Sequence, residues 1–209
     1  MPLFSMKDRY RERQMDYSKT NVAVLALQGA FLEHQQMLET LGVRSRLIRN
    51  GQDWQDFVAQ SREGMASGLV IPGGESTAMM RIIRDLRLYE PIKEAIQGGM
   101  AVLGTCAGLI MLDDKHLGTM DIKVRRNAYG RQLGSFNAVH EVKGIGRFPM
   151  TFIRAPYIES VGDGVEVLSV LDNHIVAARQ GKQLACAFHP ELTADTRFHE
   201  TFLSLCATD

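Results

Sequence analysis

The chain has 209 residues, 45% of them hydrophobic and 23% charged, which is the composition of a globular protein with a sizeable core. Its 24 Lys and Arg residues balance 24 Asp and Glu residues, so no global charge favours nucleic acid or an anionic membrane as a partner. No apolar run approaches the roughly 20 residues of a membrane span. Three cysteines without CxxC or zinc-type spacing argue against a disulfide framework, predict no metal site and favour the cytoplasm.

The N-terminal segment differs in character from the rest of the chain. Residues 1–20 carry charges of both signs and no sustained apolar period, so we expect a disordered leader there. A late start at Met15 fits the same pattern, and a short ordered arm used in docking is the alternative. Residues 21–209 show no linker and are expected to form a single domain.

Short apolar runs alternate with helically spaced segments through the first half of the domain, which predicts alternating strands and helices. The predicted strands cover residues 22–27, 43–48, 68–71 and 100–104. The predicted helices cover residues 30–41, 52–63, a stretch capped by Ser76 that runs to Leu86, and a segment that begins at 107–112. This order implies parallel strands joined by right-handed crossovers, with helices on both faces of the sheet.

The pattern changes after Leu117, where strands with glycine-rich or proline-containing connections predominate. They are predicted at residues 119–126, 132–142, 150–154, 165–170, 174–179 and 183–188, before a closing helix at 194–206. We therefore expect an α/β fold, a three-layer α/β/α sandwich with a mostly parallel central sheet. The later strands should add antiparallel or mixed pairs to that sheet, or form a flanking ribbon.

Cys106 stands in Gly104-Thr105-Cys106-Ala107-Gly108, where a predicted strand gives way to a predicted helix. Serine hydrolases hold their nucleophile in the same context, a strained turn flanked by glycines. A helix N-terminus also favours a thiolate over a thiol. A buried structural cysteine is the alternative, and it is our interpretation for Cys186 and Cys206, which have no such context.

His189 and Glu191 follow an apolar strand in Phe188-His189-Pro190-Glu191. In extended chain, residues two apart project to the same side, and the proline is expected to hold His189 in extended geometry. A glutamate beside a histidine can fix its tautomer and stabilise the imidazolium, so His189 could act as base for Cys106. The remaining histidines are interpreted as structural or surface groups: His34, His116, His140, His174 and His199.

Gly73 and Gly74 form a turn in Ile71-Pro72-Gly73-Gly74-Glu75-Ser76, at the carboxyl end of the third predicted strand. Backbone N–H groups of adjacent glycines can approach a substrate closely, as an oxyanion site requires. An ordinary glycine turn before a capped helix is the alternative. The turn lacks the Gly-Lys-Ser/Thr ending of a phosphate-binding loop.

A glycine loop, a cysteine elbow and a late His-x-Glu occur in the order found in the class I, or triad, glutamine amidotransferases, and the chain resembles that family. Six longer strings resemble its branch formed by the glutaminase subunits of pyridoxal 5′-phosphate synthase, and together they cover essentially residues 21–206. These strings are LALQGAFLEH at 25–34, PGGEST at 72–77, GTCAGLI at 104–110, RNAYGRQ at 126–132, FIRAP at 152–156 and AFHPELT at 187–193. The resemblance implies a flavodoxin-like amidotransferase fold.

The resemblance also implies a function and a set of site residues. The chain would hydrolyse L-glutamine to glutamate and ammonia through Cys106, His189 and Glu191, and would deliver the ammonia to a partner synthase. It implies no cofactor and no metal on this chain. The implied glutamine-binding residues are Gly73, Gly74, Glu75, Arg126, Ile153 and Arg154. Arginine suits the α-carboxylate of glutamine because its guanidinium can bind a carboxylate bidentately.

Two other functions stay open at this level. One is a γ-glutamyl hydrolase or another hydrolase with a cysteine elbow, which would act alone. The other is a non-catalytic subunit that scaffolds the synthase. The string RNAYGRQ carries Ala128-Tyr129 where relatives often have Ser-Phe, and residues 1–20 lie outside the resemblance.

Overall fold

A computed structural model of the chain describes residues 17–61, 66–126 and 134–207. Its helices are α1 (Phe31–Thr40), α2 (Gly51–Ser61), α3 (Ser76–Asp85), α4 (Tyr89–Gln97), α5 (Ala107–Leu112) and α6 (Arg197–Cys206). Its strands are β1 (Thr20–Leu25), β2 (Arg44–Ile48), β3 (Ala66–Ile71), β4 (Ala101–Thr105), β5 (Ile122–Arg125), β6 (Ser135–Val142), β7 (Gly146–Ile153), β8 (Tyr157–Val161), β9 (Glu166–Leu171), β10 (His174–Gln180) and β11 (Gln183–Cys186). A 3-10 turn, Pro190–Leu192, follows β11.

Within these described ranges, nine strands form one sheet in which β2, β1, β3, β4 and β11 lie side by side and parallel. Beyond β11 the pairing becomes antiparallel through β10, β8 and β5, with β9 paired to β10. Strands β6 and β7 form a separate antiparallel ribbon. The predicted parallel centre of the sheet is thus confirmed. Both arrangements predicted for the later strands occur, since some add antiparallel pairs to the sheet and two form a flanking ribbon.

Helices cover both faces of the parallel strands. Right-handed crossovers place α1 on one face and α2, α3 and α4 on the other. Helix α6 packs beside α1, since His34 and His199 are in contact. The residues of β1 are all buried, as expected for a strand covered on both sides. This arrangement is the predicted three-layer α/β/α sandwich.

Several boundaries and elements differ from the sequence-based prediction. Helix α4 and strand β8 were not predicted, and β7 begins at Gly146 rather than near residue 150. Pro91 does not prevent α4, because it lies in the first helical turn, where its missing N–H costs no hydrogen bond. Pro149 likewise fits in β7, which belongs to a two-stranded ribbon.

The predicted leader lies largely outside the described residues, which begin at Tyr17. That tyrosine packs against the core, and Thr20 already belongs to β1. The end of the predicted helix at 62–63, the start of the predicted strand at 132–133 and most of the RNAYGRQ string also lie outside. No helix within the described ranges is long and apolar enough to cross a membrane.

Candidate active site

Cys106 occupies a strained turn between β4 and α5. Its φ of 50° and ψ of −102° lie in a region that non-glycine residues rarely adopt. The backbone N–H of Cys106 donates to the Cys186 carbonyl at 2.8 Å, which extends the pairing of β4 with β11 into the elbow. The predicted sharp turn from strand to helix is present in this geometry, and Cys106 is largely buried.

The glycines on either side of the elbow, Gly104 and Gly108, stand where there is no room for a side chain. A Cβ on Gly108 would collide with the backbone carbonyl of Ile71 in β3. A Cβ on Gly104 would lie 2.7 Å from the Gly108 carbonyl oxygen. Glycine at both positions therefore lets α5 pack directly against β3 and β4.

His189 and Glu191 meet as predicted, although the local backbone differs from the prediction. His189 Nδ1 lies 2.7 Å from Glu191 Oε1, and both side chains are buried. The pair does not lie on extended chain, because β11 ends at Cys186 and residues 190–192 form a 3-10 turn. The turn, together with a 2.8 Å bond from the His189 N–H to the Thr151 carbonyl, positions the imidazole.

The electrostatics of His189 favour a charged imidazole. Burial lowers its pKa, but hydrogen bonds with Cys106 and Glu191 and the charge of Glu191 outweigh burial and raise the pKa from 6.5 to about 10. Burial acts to raise the pKa of Glu191, yet His34 and His189 nearby bring the pKa below its usual value. The site thus stabilises an imidazolium between a carboxylate and the Cys106 sulfur.

The Gly73-Gly74 turn lies directly beside these groups. A Cβ on Gly73 would overlap the imidazole of His189 and lie 3.3 Å from the Cys106 Cβ. The Gly73 carbonyl accepts from the Ala30 N–H at 3.1 Å, and the Glu75 N–H donates to Gln28 Oε1 at 2.7 Å. The loop after β1 therefore supports the loop after β3 at the same sheet edge.

Glu75 is the N-cap of α3, a role that the sequence analysis assigned to Ser76. Its carboxylate accepts from the Thr77 N–H at 3.1 Å and from the Ala78 N–H at 2.7 Å. These backbone bonds, with a smaller contribution from the nearby Arg126 charge, hold the pKa of Glu75 below its usual value. Glutamate can cap here because its longer side chain folds back over the helix start.

The two predicted arginines differ in their surroundings. Arg126 Nη2 lies 2.9 Å from Glu75 Oε1, and Arg126 Nη1 lies 3.1 Å from Thr77 Oγ1. Arg154 makes no ion pair with any residue in the described parts of the chain. Its backbone has a φ of 45°, and the preceding Ile153 carbonyl lies 3.9 Å from the Cys106 sulfur.

A cavity of about 430 Å³ brings these groups together. Its lining includes Cys106, His189 and all six predicted glutamine-binding residues: Gly73, Gly74, Glu75, Arg126, Ile153 and Arg154. Glu191 lies behind His189 and does not line the cavity. The volume falls in the lower part of the roughly 300–1,000 Å³ range of small-molecule sites.

Sequence reasoning missed two residues near this cavity. Gln28 was interpreted only as part of a turn, yet it lines the cavity and holds the Glu75 backbone. His34 was interpreted as a structural or surface group, yet its Nε2 lies 3.3 Å from Glu191 Oε2. Both residues lie within the LALQGAFLEH string, which was the available signal.

A cysteine elbow beside a His-Glu pair, at the carboxyl edge of parallel strands, defines an α/β protein of the triad hydrolase and amidotransferase class. Residues 24–208 match the SNO glutamine amidotransferase family, and the chain belongs to that family. It is 52% identical over 192 residues to the pyridoxal 5′-phosphate synthase subunit PdxT of Streptococcus pneumoniae serotype 2, covering 88% of this chain and 97% of that protein.

Solved structures give the same fold. A glutamine amidotransferase crystal structure has a TM-score of 0.79 and 41% identity, covering 88% of this chain and 98% of that chain. A chain in the structure of PurLQS from Thermotoga maritima has a TM-score of 0.63 at 12% identity, covering 88% and 97% of the two chains. That second likeness concerns the fold alone.

Proposed function

We propose that this chain is a glutaminase that hydrolyses L-glutamine to L-glutamate and ammonia, with Cys106 as nucleophile, His189 as acid and base, and Glu191 as the group that orients His189. The observation that carries the proposal is that Cys106, on its positive-φ elbow, is in contact with the imidazole of His189. The carboxylate of Glu191 lies 2.7 Å from the other side of that ring. Membership of the amidotransferase family supports glutamine as the substrate.

The first half of the reaction forms a covalent intermediate. The Cys106 thiolate attacks the side-chain amide carbon of glutamine, and backbone N–H groups of the Gly73-Gly74 turn and the elbow stabilise the oxyanion. The His189 imidazolium gives its proton to the departing nitrogen, so that the C–N bond breaks and ammonia leaves. A γ-glutamyl thioester on Cys106 remains.

The second half restores the enzyme. Water attacks the thioester carbon while His189 takes a proton from it, and the C–S bond breaks to release glutamate. Glu191 holds the Nδ1 side of the ring throughout, because its carboxylate accepts from that nitrogen at 2.7 Å. The other ring nitrogen is therefore left to exchange protons with sulfur, ammonia and water.

Glutamine recognition is assigned to the residues around the mouth of the cavity. Arg154 carries a charge that no described residue neutralises, so it suits the α-carboxylate of the substrate. The Glu75 carboxylate, paired with Arg126 at 2.9 Å, suits the α-ammonium group. Ile153 and the two glycines complete the surface against which the side chain of glutamine would lie.

We further propose that the ammonia passes to a pyridoxal 5′-phosphate synthase partner in the cytoplasm. The support is the 52% identity to PdxT of Streptococcus pneumoniae, which bears the name of a synthase subunit. The unpaired cysteines fit a reducing compartment. Ammonia released into water would be protonated and would diffuse away, so a docked synthase is needed to receive it.

The test is glutamate release from glutamine and from γ-glutamyl peptides, each with and without the synthase. We expect hydrolysis of free glutamine, little hydrolysis of the peptides, and a faster rate when the synthase is present. The adjacent glycines of the Gly73-Gly74 turn motivate the last expectation, since docking could reorient their peptide. Preference for the peptides, or equal rates with and without the synthase, would contradict the respective part of the proposal.

A further inference from the structure

His34 is a fully buried histidine of α1 that lies behind the triad, on the far side of Glu191 from His189. Its Nε2 lies 3.1 Å from Thr105 Oγ1 and 3.3 Å from Glu191 Oε2. Its Nδ1 lies 2.9 Å from His199 Nε2 in α6. Both histidines have no exposed surface, so no solvent satisfies these nitrogens.

The second oxygen of Glu191 makes His34 relevant to the reaction. Oε1 accepts from His189, whereas Oε2 is buried and receives no well-aligned hydrogen bond from a described residue. A buried carboxylate oxygen without a donor destabilises the folded chain, because the oxygen has lost its hydration and gained no hydrogen bond. The Nε2 of His34 lies 3.3 Å from this oxygen and 3.1 Å from Thr105 Oγ1, so a proton on that nitrogen would face both oxygens.

The surroundings determine which nitrogen of His34 carries the proton. Burial lowers the pKa of His34, against the opposing effect of Glu191, which favours the neutral ring with a single N–H. A proton on Nε2 faces Thr105 and Glu191, whereas a lone pair there would face the carboxylate. Nδ1 must then accept, and the Nε2–H of His199 is placed to donate to it at 2.9 Å.

His199 is consistent with that assignment. With its proton on Nε2, its Nδ1 is a bare acceptor, and this atom has no hydrogen-bond partner among the described residues. Burial drives the pKa of His199 well below its usual value, so the ring stays neutral too. In this assignment the Nε2–H of His199 donates to His34 Nδ1, and the Nε2–H of His34 faces Glu191 Oε2.

We propose that His34 is a positioning residue for the reaction: its Nε2–H holds the second oxygen of Glu191, so that the first oxygen keeps His189 aligned with Cys106, and His199 sets the tautomer of His34. The proposal rests on the proposed glutaminase function. His34 does not line the cavity, so its proposed effect on the reaction passes through Glu191.

The test compares His34→Phe, His34→Gln and His34→Asn in the full chain with the synthase present, and measures kcat, KM for glutamine and thermal unfolding. His34→Phe should lower kcat by about 10–100-fold, with KM changed less than about threefold. A loss of this size is typical when a residue that hydrogen-bonds to a metal-binding histidine is removed, and His34 supports Glu191 in a comparable way. The side-chain NH2 of glutamine can take the position of His34 Nε2, whereas that of asparagine can take only the position of Nδ1. His34→Gln should therefore have a higher kcat than His34→Asn. This comparison tests the proposal even if His34→Phe does not fold.

A second arm separates positioning from general structure. In a Glu191→Gln background, adding His34→Phe should lower kcat by less than about a further threefold. The two effects are not additive, because His34 acts on the reaction through Glu191. His140→Phe on β6 is the matched control and should keep wild-type kcat. Full additivity, or wild-type kcat in His34→Phe, would overturn the proposal, whereas a wild-type chain that releases no glutamate would overturn the proposed function instead.

Discussion

Cys106 has backbone angles that cost a non-glycine residue about 1–3 kcal/mol. Such strain persists only where the surroundings over-determine the backbone, and here the surroundings are identifiable. The N–H of Cys106 bonds to Cys186 at 2.8 Å, and Gly108 is in contact with the backbone of Ile71. The strain holds the sulfur at the cavity surface, beside His189, where a relaxed turn would not present it.

His189 gives the site a pH dependence with a definite sign. Its folded pKa of about 10 lies above the ordinary 6.5. Its contribution to the free energy of unfolding is therefore complete below about pH 6.5 and is lost as the pH rises through about 10. In the proposed reaction the imidazolium protonates the departing nitrogen of the amide, so activity should fall on the same alkaline side.

Glu191→Gln should move the alkaline limb of kcat/KM to lower pH by about one to two units. The change removes a charged hydrogen bond worth about 1.5–3 kcal/mol, and 1.36 kcal/mol corresponds to one pKa unit. The measurement is the rate of glutamate release across neutral and alkaline pH. Glu39→Gln, at an exposed position of α1, should leave the profile unchanged, and an unshifted limb in Glu191→Gln would refute the role given to Glu191.

Single residues were predictable from sequence where a local pattern carried the chemistry. Cys106 between two glycines, and the His-Pro-Glu string, identified the predicted triad without a structure. His34 lies in the LALQGAFLEH string, but its contacts were not predictable, because its partners Thr105, Glu191 and His199 are up to 165 residues away along the chain. Ser76 was favoured over Glu75 as the cap because propensity ranks serine higher, but here Glu75 bonds two backbone N–H groups.

The loops after β1 and β3 and the elbow after β4 form one interlocked unit. Gly29 has a φ of 85°, and a Cβ there would collide with the Gly73 carbonyl, so the loop after β1 cannot carry a side chain at that point. The Gly73-Gly74 turn is in turn packed against His189. Its glycines therefore serve the close approach of three segments as well as the proposed oxyanion site.

Gly73→Ala should reduce kcat/KM by about 100-fold or more while the chain stays folded. The added Cβ would overlap the imidazole of His189, and a displacement of about 1 Å in a catalytic group costs about that factor. Glutamate release and thermal unfolding are measured together. The control is Gly51→Ala at the start of α2, where the new Cβ would meet only the Leu86 carbonyl at 3.8 Å. A folded Gly73→Ala chain with the wild-type rate would contradict this account of the loop.

Elements with a strong period were predictable, and elements that depend on distant packing were not. The buried strands β1, β3 and β4 follow directly from their apolar runs. Helix α4 contains Pro91, and β8 is only five residues long with Glu159 and Ser160 in its middle, so neither has a clear local signal, and both depend on the sheet they join. The turn at 190–192 departs from extended chain although Pro190 favoured that geometry for His189.

At the scale of the whole molecule, the site is a consequence of strand order. Strands β1, β3, β4 and β11 are parallel neighbours, so the loops that follow them meet at one sheet edge. Gln28, Gly73, Cys106 and His189 each follow one of these strands. Open α/β sheets place their ligands at this edge, which is why the sequence pattern alone could bring the cysteine, the histidine and the glycine turn together.

Glutamate release from glutamine by Cys106→Ala, measured with the synthase present, tests the central claim most directly. Cys206→Ala is the matched control, because this buried cysteine of α6 does not line the cavity. We expect Cys206→Ala to keep the wild-type rate, and Cys106→Ala to lose at least about 1,000-fold, as nucleophile removal does in triad enzymes. Glutamate release by Cys106→Ala at the wild-type rate would show that Cys106 is not the nucleophile.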